Sequence, residues 1–271
     1  MQRALQATAE SLFSVLFPSD CRICRQPLTN ISTLPVCRAC LGGIVPLEGT
    51  LCSACGERLF GHYFQGEAGP LCGLCRQKAP HFRRAVAYGP YEGSLRDLVH
   101  LLKYQGIRPA ARLLGRFMSQ SVMQAGWAAG LVVIPVPLAS AKRRARGFNQ
   151  AEEIARAFCR EQGGNRIQLE TTSLQRTRET VSQTGLSREQ RQANLRGAFT
   201  VSSREKVQGR TILLVDDVMT TGATAGECAR VLLRAGAKEV FVATVARATR
   251  EMDGALAHAA GALAGGTTGH A

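Results

Sequence analysis

The sequence predicts an α/β protein in which a small cysteine-rich module precedes a doubly wound parallel sheet. Apolar runs at residues 131–136, 211–216 and 239–246 are typical of strands that are buried on both faces. Stretches with the helical spacing of apolar residues alternate with these runs, as they do in a doubly wound sheet. Eight of the ten cysteines lie between residues 21 and 75, ahead of all three runs.

The composition allows one large domain or two unequal ones. The chain has 271 residues, and a hydrophobic content of 45% is enough for a sizeable core. It has no uncharged apolar run of about 18 residues, so we expect no membrane span. The apolar positions from Leu5 to Phe17 fall on one helical face and are interrupted by Glu10, which favours a short amphipathic helix over a secretion signal.

The clustered cysteines form four CxxC pairs. A CxxC turn places two thiolates on one side of a tight loop, as two corners of a tetrahedral Zn²⁺ site require. Four pairs predict a double zinc ribbon with two closed sites for structural zinc, and we prefer sequential pairing to an interleaved arrangement. A disulfide-stapled secreted module and redox CxxC chemistry are the alternatives. The eight predicted ligands are Cys21, Cys24, Cys37, Cys40, Cys52, Cys55, Cys72 and Cys75.

The segments after the cysteines alternate between strand and helix patterns. Residues 85–91 predict a short strand, and residues 94–103 and 109–124 predict helices with apolar faces. Gly106 is the expected stop of the first helix. The later elements are expected to be a helix from Asn149 or Gln150 to about Cys159, a short strand near Leu169, and a helix from about Ala223 to Arg234.

Residues Thr211–Thr224, TILLVDDVMTTGAT, are the most informative stretch. The strand delivers Asp216 and Asp217 to the carboxyl edge of the sheet, where such sheets bind ligands. These carboxylates would repel a phosphate but suit ribose hydroxyls and a hydrated Mg²⁺. The loop after them offers helix N-terminal amides, a glycine and hydroxyls for a phosphate monoester. The stretch therefore predicts a ribose-5-phosphate site, and a plain strand-end turn with a helix cap is the alternative. The predicted loop residues are Thr220, Thr221, Gly222, Ala223 and Thr224.

Two arginine-rich segments are expected to flank this site. Residues 137–150, predicted as a loop, follow a strand and emerge at the same edge, where arginines suit a pyrophosphate. The polar residues 174–199 predict either a mobile lid over an anionic ligand or a solvated loop with a short helix. The arginines concerned are Arg143, Arg144 and Arg146 in the first segment, and Arg176, Arg178, Arg188 and Arg191 in the second.

The net charge of +14 is concentrated in one region of the chain. Residues 81–150 contain 11 basic and 2 acidic side chains, a net charge of +9. A basic field of this kind attracts polyphosphates or nucleic acids, although a solvated basic surface would give the same count.

The order of these segments resembles the ComF/GntX family of bacterial proteins. The resemblance rests on the double zinc ribbon, LKYxG, RGFNQ, SQTGL and LLVDDVMTTGAT, and it covers about residues 15–247. The last of these segments closely resembles the 13-residue signature of type I phosphoribosyltransferases, which bind phosphoribosyl pyrophosphate (PRPP) with Mg²⁺. The resemblance implies a zinc ribbon over residues 15–80 and a type I phosphoribosyltransferase fold over residues 81–250. Residues 251–271, rich in alanine and glycine, predict a disordered tail.

The resemblance also implies a cytoplasmic protein of natural competence and DNA uptake or use. Single-stranded DNA and a helicase of DNA uptake are the macromolecular partners that this role implies. One hypothesis is enzymatic, a glycosyltransferase-class transfer of a phosphoribosyl group from PRPP to an unknown acceptor. The other is non-catalytic binding of single-stranded nucleic acid, with Tyr104, Phe148 and Phe82 as candidate stacking platforms.

Overall fold

The structure is a computed structural model that describes residues 19–28, 32–61, 63–66, 69–127, 130–163, 167–178 and 188–248, without the side chains of 188, 189, 191 and 192. The predicted N-terminal helix, the middle of the predicted lid and the predicted C-terminal tail lie outside the described residues. Within the described residues, no helix is long and apolar enough to cross a membrane.

The cysteine-rich module contains two short knuckle units, the first with Cys21, Cys24, Cys37 and Cys40 and the second with Cys52, Cys55, Cys72 and Cys75. Helix α1 covers Arg38–Gly42, and the Sγ of Cys37 caps its N-terminus by accepting from the amide of Cys40 at 3.4 Å. Strands β1 (Phe64–Gly66) and β2 (Gly69–Leu71) pair antiparallel, and helix α2 (Gly73–Gln77) follows. These short elements bury few large apolar side chains, so the module depends on its cysteine sites.

The second part of the chain is the predicted parallel sheet with helices on both faces. The helices that follow in the chain are α3 (Gly93–Gln105), α4 (Pro109–Gln124), α5 (Ser140–Arg146), α6 (Gln150–Glu161), α7 (Arg188–Leu195) and α8 (Ala223–Arg234). The strands are β3 (Arg84–Pro90), β4 (Leu131–Pro135), β5 (Ile167–Leu169), β6 (Leu174–Arg176), β7 (Phe199–Val201), β8 (Thr211–Met219) and β9 (Glu239–Arg247). The main sheet is entirely parallel in the order β3-β9-β8-β4-β5, while β6 and β7 form a separate antiparallel pair.

Alternation along the strands divides the core into two layers. Ile212 and Leu214 of β8 pack in the layer that contains α8 and the cysteine cluster of Cys52, Cys55 and Cys75. Leu213 and Val215 face the opposite layer with α3, α4, α6 and Cys21. The two knuckle units therefore lie against opposite faces of the sheet.

The structure differs from the sequence expectation at residues 137–150. Ser140–Arg146 is helix α5 and not a loop. Its alanine, lysine and arginine residues have high helix propensity, and Gly147 ends the helix in the left-handed conformation at φ 79°. Strand β8 also continues past residue 216 to Met219, so Asp216 and Asp217 belong to the end of the strand itself.

Gly115 sets the close approach of α4 and α6. A Cβ at this position would lie 2.6 Å from Cβ of Ala157 and 2.8 Å from the backbone N of Phe158. Only a residue without a side chain permits this spacing.

Gly115→Ala should therefore destabilise the protein by about 1–3 kcal/mol, because the two helices must move apart. Gly226→Ala in α8 is the matched control, since its Cβ would meet no atom within 4 Å, and there we expect no loss of stability. Urea unfolding measures both, and equal midpoints for the two variants would contradict this account of the packing.

Candidate functional site

The eight clustered cysteines form two tetrads. Within each tetrad, the four Sγ atoms all lie within 4.8 Å of one another. The first tetrad consists of Cys21, Cys24, Cys37 and Cys40, and the second of Cys52, Cys55, Cys72 and Cys75. The sulfur pairs Cys21–Cys40, Cys24–Cys37 and Cys55–Cys72 are 3.9, 3.6 and 3.7 Å apart. A tetrahedron with Zn–S bonds of about 2.3 Å has edges of about 3.8 Å, so both tetrads fit structural zinc. The sequential pairing preferred from the sequence is the arrangement found.

Asp216 and Asp217 face opposite layers at the carboxyl end of β8. Asp217 is 4% exposed, and its Oδ2 lies 2.6 Å from Nζ of Lys103, near the end of α3. Burial lowers the pKa of Lys103 to about 8, an effect that Asp216 opposes and Arg146 reinforces. The ion pair compensates one of the two adjacent carboxylates, so the edge of the sheet presents less negative charge than the sequence implies.

Asp216 lines a small cavity together with residues of Thr220–Thr224, the segment that the sequence predicts to bind a phosphate and that we call the phosphate loop. Thr220, Gly222, Thr224 and Thr244 are among the other residues of this cavity. Burial raises the pKa of Asp216 to about 6, and Lys103 and Arg176 oppose that rise. Asp216 is therefore the carboxylate that shares a space with the loop.

The phosphate loop leads directly into the N-terminus of α8. Gly222 is the N-cap residue with φ 76°, and a Cβ there would lie 2.8 Å from Cε of Met219. The positive φ favours glycine at this position, whereas the side chain of Met219 is flexible and can move. The amide of Ala223 donates to Oγ1 of Thr221 at 3.4 Å, while the dipole of this 12-residue helix favours a negative charge at the loop.

The predicted pyrophosphate segment lies at the same sheet edge, because β4 and β8 are parallel neighbours. Arg143 and Arg144 of α5 are exposed. Arg146 is half-buried, donates a hydrogen bond to Oε1 of Gln150, and lies over the ring of Tyr104 at 5.7 Å from its centroid. With Lys142, which is also exposed, the segment provides three exposed cations and one, Arg146, that is held in place.

The predicted lid arginines differ in their surroundings. Arg176 at the end of β6 lies over the ring of Phe199 and acts electrostatically on Asp216. Arg178 donates to the carbonyl oxygens of Asn194 at 2.7 Å and Arg196 at 3.0 Å, which ties the end of α7 to the strand that precedes it. The side chains of Arg188 and Arg191 lie outside the described residues.

A buried guanidinium connects the phosphate loop to the second knuckle unit. Arg247, at the end of β9, is 2% exposed and donates to the carbonyl oxygen of Met219 at 2.9 Å and to that of Thr220. It also forms an ion pair with Glu57, which lies two residues after Cys55 and is itself buried. The Sγ of Cys55 is 3.9 Å from the same guanidinium.

Comparison with known proteins agrees with this combination of tetrads and phosphate loop. The double zinc ribbon domain matches residues 12–76, and the phosphoribosyl transferase domain matches residues 103–260. The DNA utilization protein YhgH of Escherichia coli (strain K12) is 34% identical over 83% of this chain and 95% of its own length. The chain belongs to the ComF/GntX family. Competence protein F of Haemophilus influenzae is 30% identical over 78% of this chain and 96% of its own, and ComFC of Bacillus subtilis (strain 168) is 22% identical over 74% and 79%.

The stacking candidates of this ComF/GntX chain differ sharply in exposure. Tyr104 is 71% exposed, whereas Phe82 and Phe148 are only 3% and 7% exposed. Arg108 covers the ring of Phe148 at 4.9 Å. Of the three candidates, only Tyr104 is exposed, and Arg146 lies over its ring.

Sequence reasoning missed three residues of the site in this family member, namely Lys103, Glu57 and Arg247. Lys103 lies in the LKYxG segment, where it was interpreted only as part of a helix end. Arg247 follows an apolar strand at the carboxyl edge of the sheet, which is the same signal that identified Asp216. Glu57 carries no such signal, because its partner is 190 residues away in the chain.

We expect two Zn²⁺ per chain in protein purified without chelator, since both tetrads are closed Cys₄ sites. Cys52→Ser should unfold the second knuckle unit, because metal binding supplies its folding free energy. The control is Cys159→Ser in α6, which lies outside both tetrads. Elemental analysis measures the number of zinc ions per chain, and a value near one or zero would refute two closed sites. Circular dichroism measures the folding of the two variants.

Proposed function

We propose that this chain binds Mg²⁺-PRPP, or a closely related ribose phosphate, at the carboxyl edge of its sheet and acts in DNA uptake or use. The observation that supports the proposal best is the shared cavity of Asp216 and the phosphate loop. An acceptor for ribose hydroxyls and a group of donors for a phosphate lie side by side there, which is the order of groups in ribose 5-phosphate.

Each part of the proposed site has a separate task. The amides and hydroxyls of the phosphate loop hold the 5′-phosphate at the N-terminus of α8. Asp216 accepts hydrogen bonds from the ribose hydroxyls, while Asp217 is compensated by Lys103. The exposed Arg143 and Arg144, with Arg146 beside them, counter the charge of the pyrophosphate.

The donor set fits a hydrated Mg²⁺ that arrives with the substrate. Asp216 and the threonine hydroxyls of the loop are hard oxygen ligands of the kind Mg²⁺ prefers, and one or two carboxylates are its usual protein contribution. Bound there, Mg²⁺ would neutralise pyrophosphate charge. Because burial raises the pKa of Asp216 to about 6, this carboxyl is ionised at neutral pH but close to its titration range.

The catalytic form of the proposal is phosphoribosyl transfer. The bond from C1′ to pyrophosphate breaks, a bond from C1′ to the acceptor forms, and the acceptor loses a proton. Arginines near the departing pyrophosphate stabilise its developing charge, and the phosphate loop and Asp216 hold the ribose in one orientation. In this proposal the arginines, the phosphate loop and Asp216 bind and orient the substrate, and they promote the reaction by doing so.

The link to DNA rests on relatives named for DNA utilization and competence. A second candidate function is non-catalytic binding of single-stranded nucleic acid, supported by the exposed ring of Tyr104 next to Arg146. A DNA-uptake helicase is the kind of partner that such a role would require. A cytoplasmic location completes the proposal, because the thiols of both tetrads need a reducing compartment.

Asp216→Asn should weaken Mg²⁺-PRPP binding in titration calorimetry and leave the fold intact, because removing each charge-assisted hydrogen bond costs about 1.5–3 kcal/mol. Affinity of the unaltered protein should also fall as the pH drops from about 7.5 to 5, since protonation near pH 6 removes the same acceptor. The Asn variant controls for titration of PRPP itself and should lack that part of the pH dependence. Equal affinities of the two proteins across this range would show that Asp216 does not contact the ligand.

Replacing Arg143, Arg144 and Arg146 together with Gln tests whether both candidate functions use the cations of α5. If single-stranded DNA binds there, its log–log salt slope should flatten by about 0.7 for each DNA phosphate that the variant no longer neutralises. We expect both PRPP affinity and DNA affinity to fall, because one basic surface serves both ligands. The charge-matched control replaces the exposed Arg112, Arg160 and Lys238, and a similar decrease in that control would contradict a specific role of α5.

A further inference from the structure

A cavity of about 350 Å³ lies between the second knuckle unit and α8, next to the phosphate loop. Leu74, Phe82 and Met219 contribute apolar walls, and Thr221 and Gly222 form part of its border. Gly222 and Ala223 also line the small cavity that contains Asp216, so the two spaces are neighbours on either side of the loop. Its volume falls in the range of ligand pockets, roughly 300–1,000 Å³.

Two exposed cations at this cavity can bind an anion. The two carboxylates that line it, Glu57 and Glu227, are paired with Arg247 and Arg230. Cys55, Cys72 and Cys75 of the second tetrad also line it, and Arg247 lies 3.9 Å from Sγ of Cys55 on that side. Lys78 and Arg196 also line it, both are exposed, and the described residues include no ion pair of either. The N-terminus of α8 adds positive potential at the same side.

We propose that this cavity binds a small aromatic or heterocyclic anion, with its flat part on the apolar walls and its charged group toward Lys78 and Arg196. Small-molecule pockets are typically apolar, with a few polar groups that fix the orientation of the ligand. The ligand is distinct from PRPP and lies beside the loop proposed to hold the ribose phosphate. The loop separates it from the cavity of Asp216, and its binding does not depend on PRPP.

A fluorescent pair of probes tests the proposal directly. 8-Anilinonaphthalene-1-sulfonate is an aromatic anion, and N-phenyl-1-naphthylamine has the same ring system without the sulfonate. We expect the anion to bind at least about tenfold more tightly than the neutral probe at low salt, because the difference is electrostatic. The preference should shrink in high salt and in the variant that combines Lys78→Gln with Arg196→Gln. The charge control is the pair Arg112→Gln with Lys238→Gln, which should keep the preference.

Gly226→Leu places a side chain in the cavity from the first turns of α8. Gly226 lines the cavity, and its Cβ would meet no atom within 4 Å. The variant should bind the anionic probe at least about tenfold more weakly, because the leucine occupies the ligand's space. Gly42→Leu, at a glycine with equally open surroundings outside the cavity, should bind the anionic probe as the unaltered protein does.

Unchanged binding of the anionic probe in Gly226→Leu, or equal binding of both probes to the unaltered protein, would overturn the proposal. Both readouts omit PRPP, so they stand apart from the test of the proposed function.

Discussion

The buried guanidinium of Arg247 is the contact on which the arrangement of the candidate site depends. It joins β9 to the carbonyl oxygens of Met219 and Thr220, where the phosphate loop begins, and to the carboxylate of Glu57 in the second knuckle unit. Removing one member of such a buried pair leaves an uncompensated charge and typically costs about 3–5 kcal/mol. The zinc module is thereby part of the structure that shapes the loop, and is not merely attached to the sheet.

Charge compensation also bears on the proposal that a site with two adjacent carboxylates binds a polyphosphate. Lys103 pairs with Asp217 in a largely buried position, so the two acids do not act together against the ligand. Asp216 remains beside the phosphate loop, with Arg176 acting on it from β6. Strand alternation separates the two carboxylates into different layers, and Lys103 acts electrostatically on Asp216 as well as pairing with Asp217.

Much of this architecture could be predicted from the sequence, because the signals concerned are local. The helices at Pro109–Gln124 and Ala223–Arg234 begin and end where apolar spacing and turn residues indicate. The CxxC spacing predicted both tetrads. The expectation of a loop at residues 137–150 was wrong for Ser140–Arg146, since arginine density was given more weight than the helix propensity of the same residues.

The contacts that could not be predicted join residues far apart in the chain. Neither the Lys103–Asp217 pair nor the Glu57–Arg247 pair has a spacing pattern that periodicity or motif arguments could detect. The cavity beside the phosphate loop is likewise formed by the second knuckle unit, α7 and α8 together, so it exists only once these elements pack. Sequence analysis indicated the groups of the proposed site but not the interactions that set their charge and position.

Amide hydrogen exchange at residues 219–226 measures most directly whether Arg247 fixes the phosphate loop. The comparison is between the unaltered protein and Arg247→Met, with Arg83→Met as the control, because Arg83 forms an exposed ion pair with Glu239 at 3.5 Å. We predict that exchange in this segment becomes at least about tenfold faster in Arg247→Met alone, while protection in α6 is preserved. Unchanged protection of the loop, or an equal decrease of protection in the loop and α6, would contradict the account.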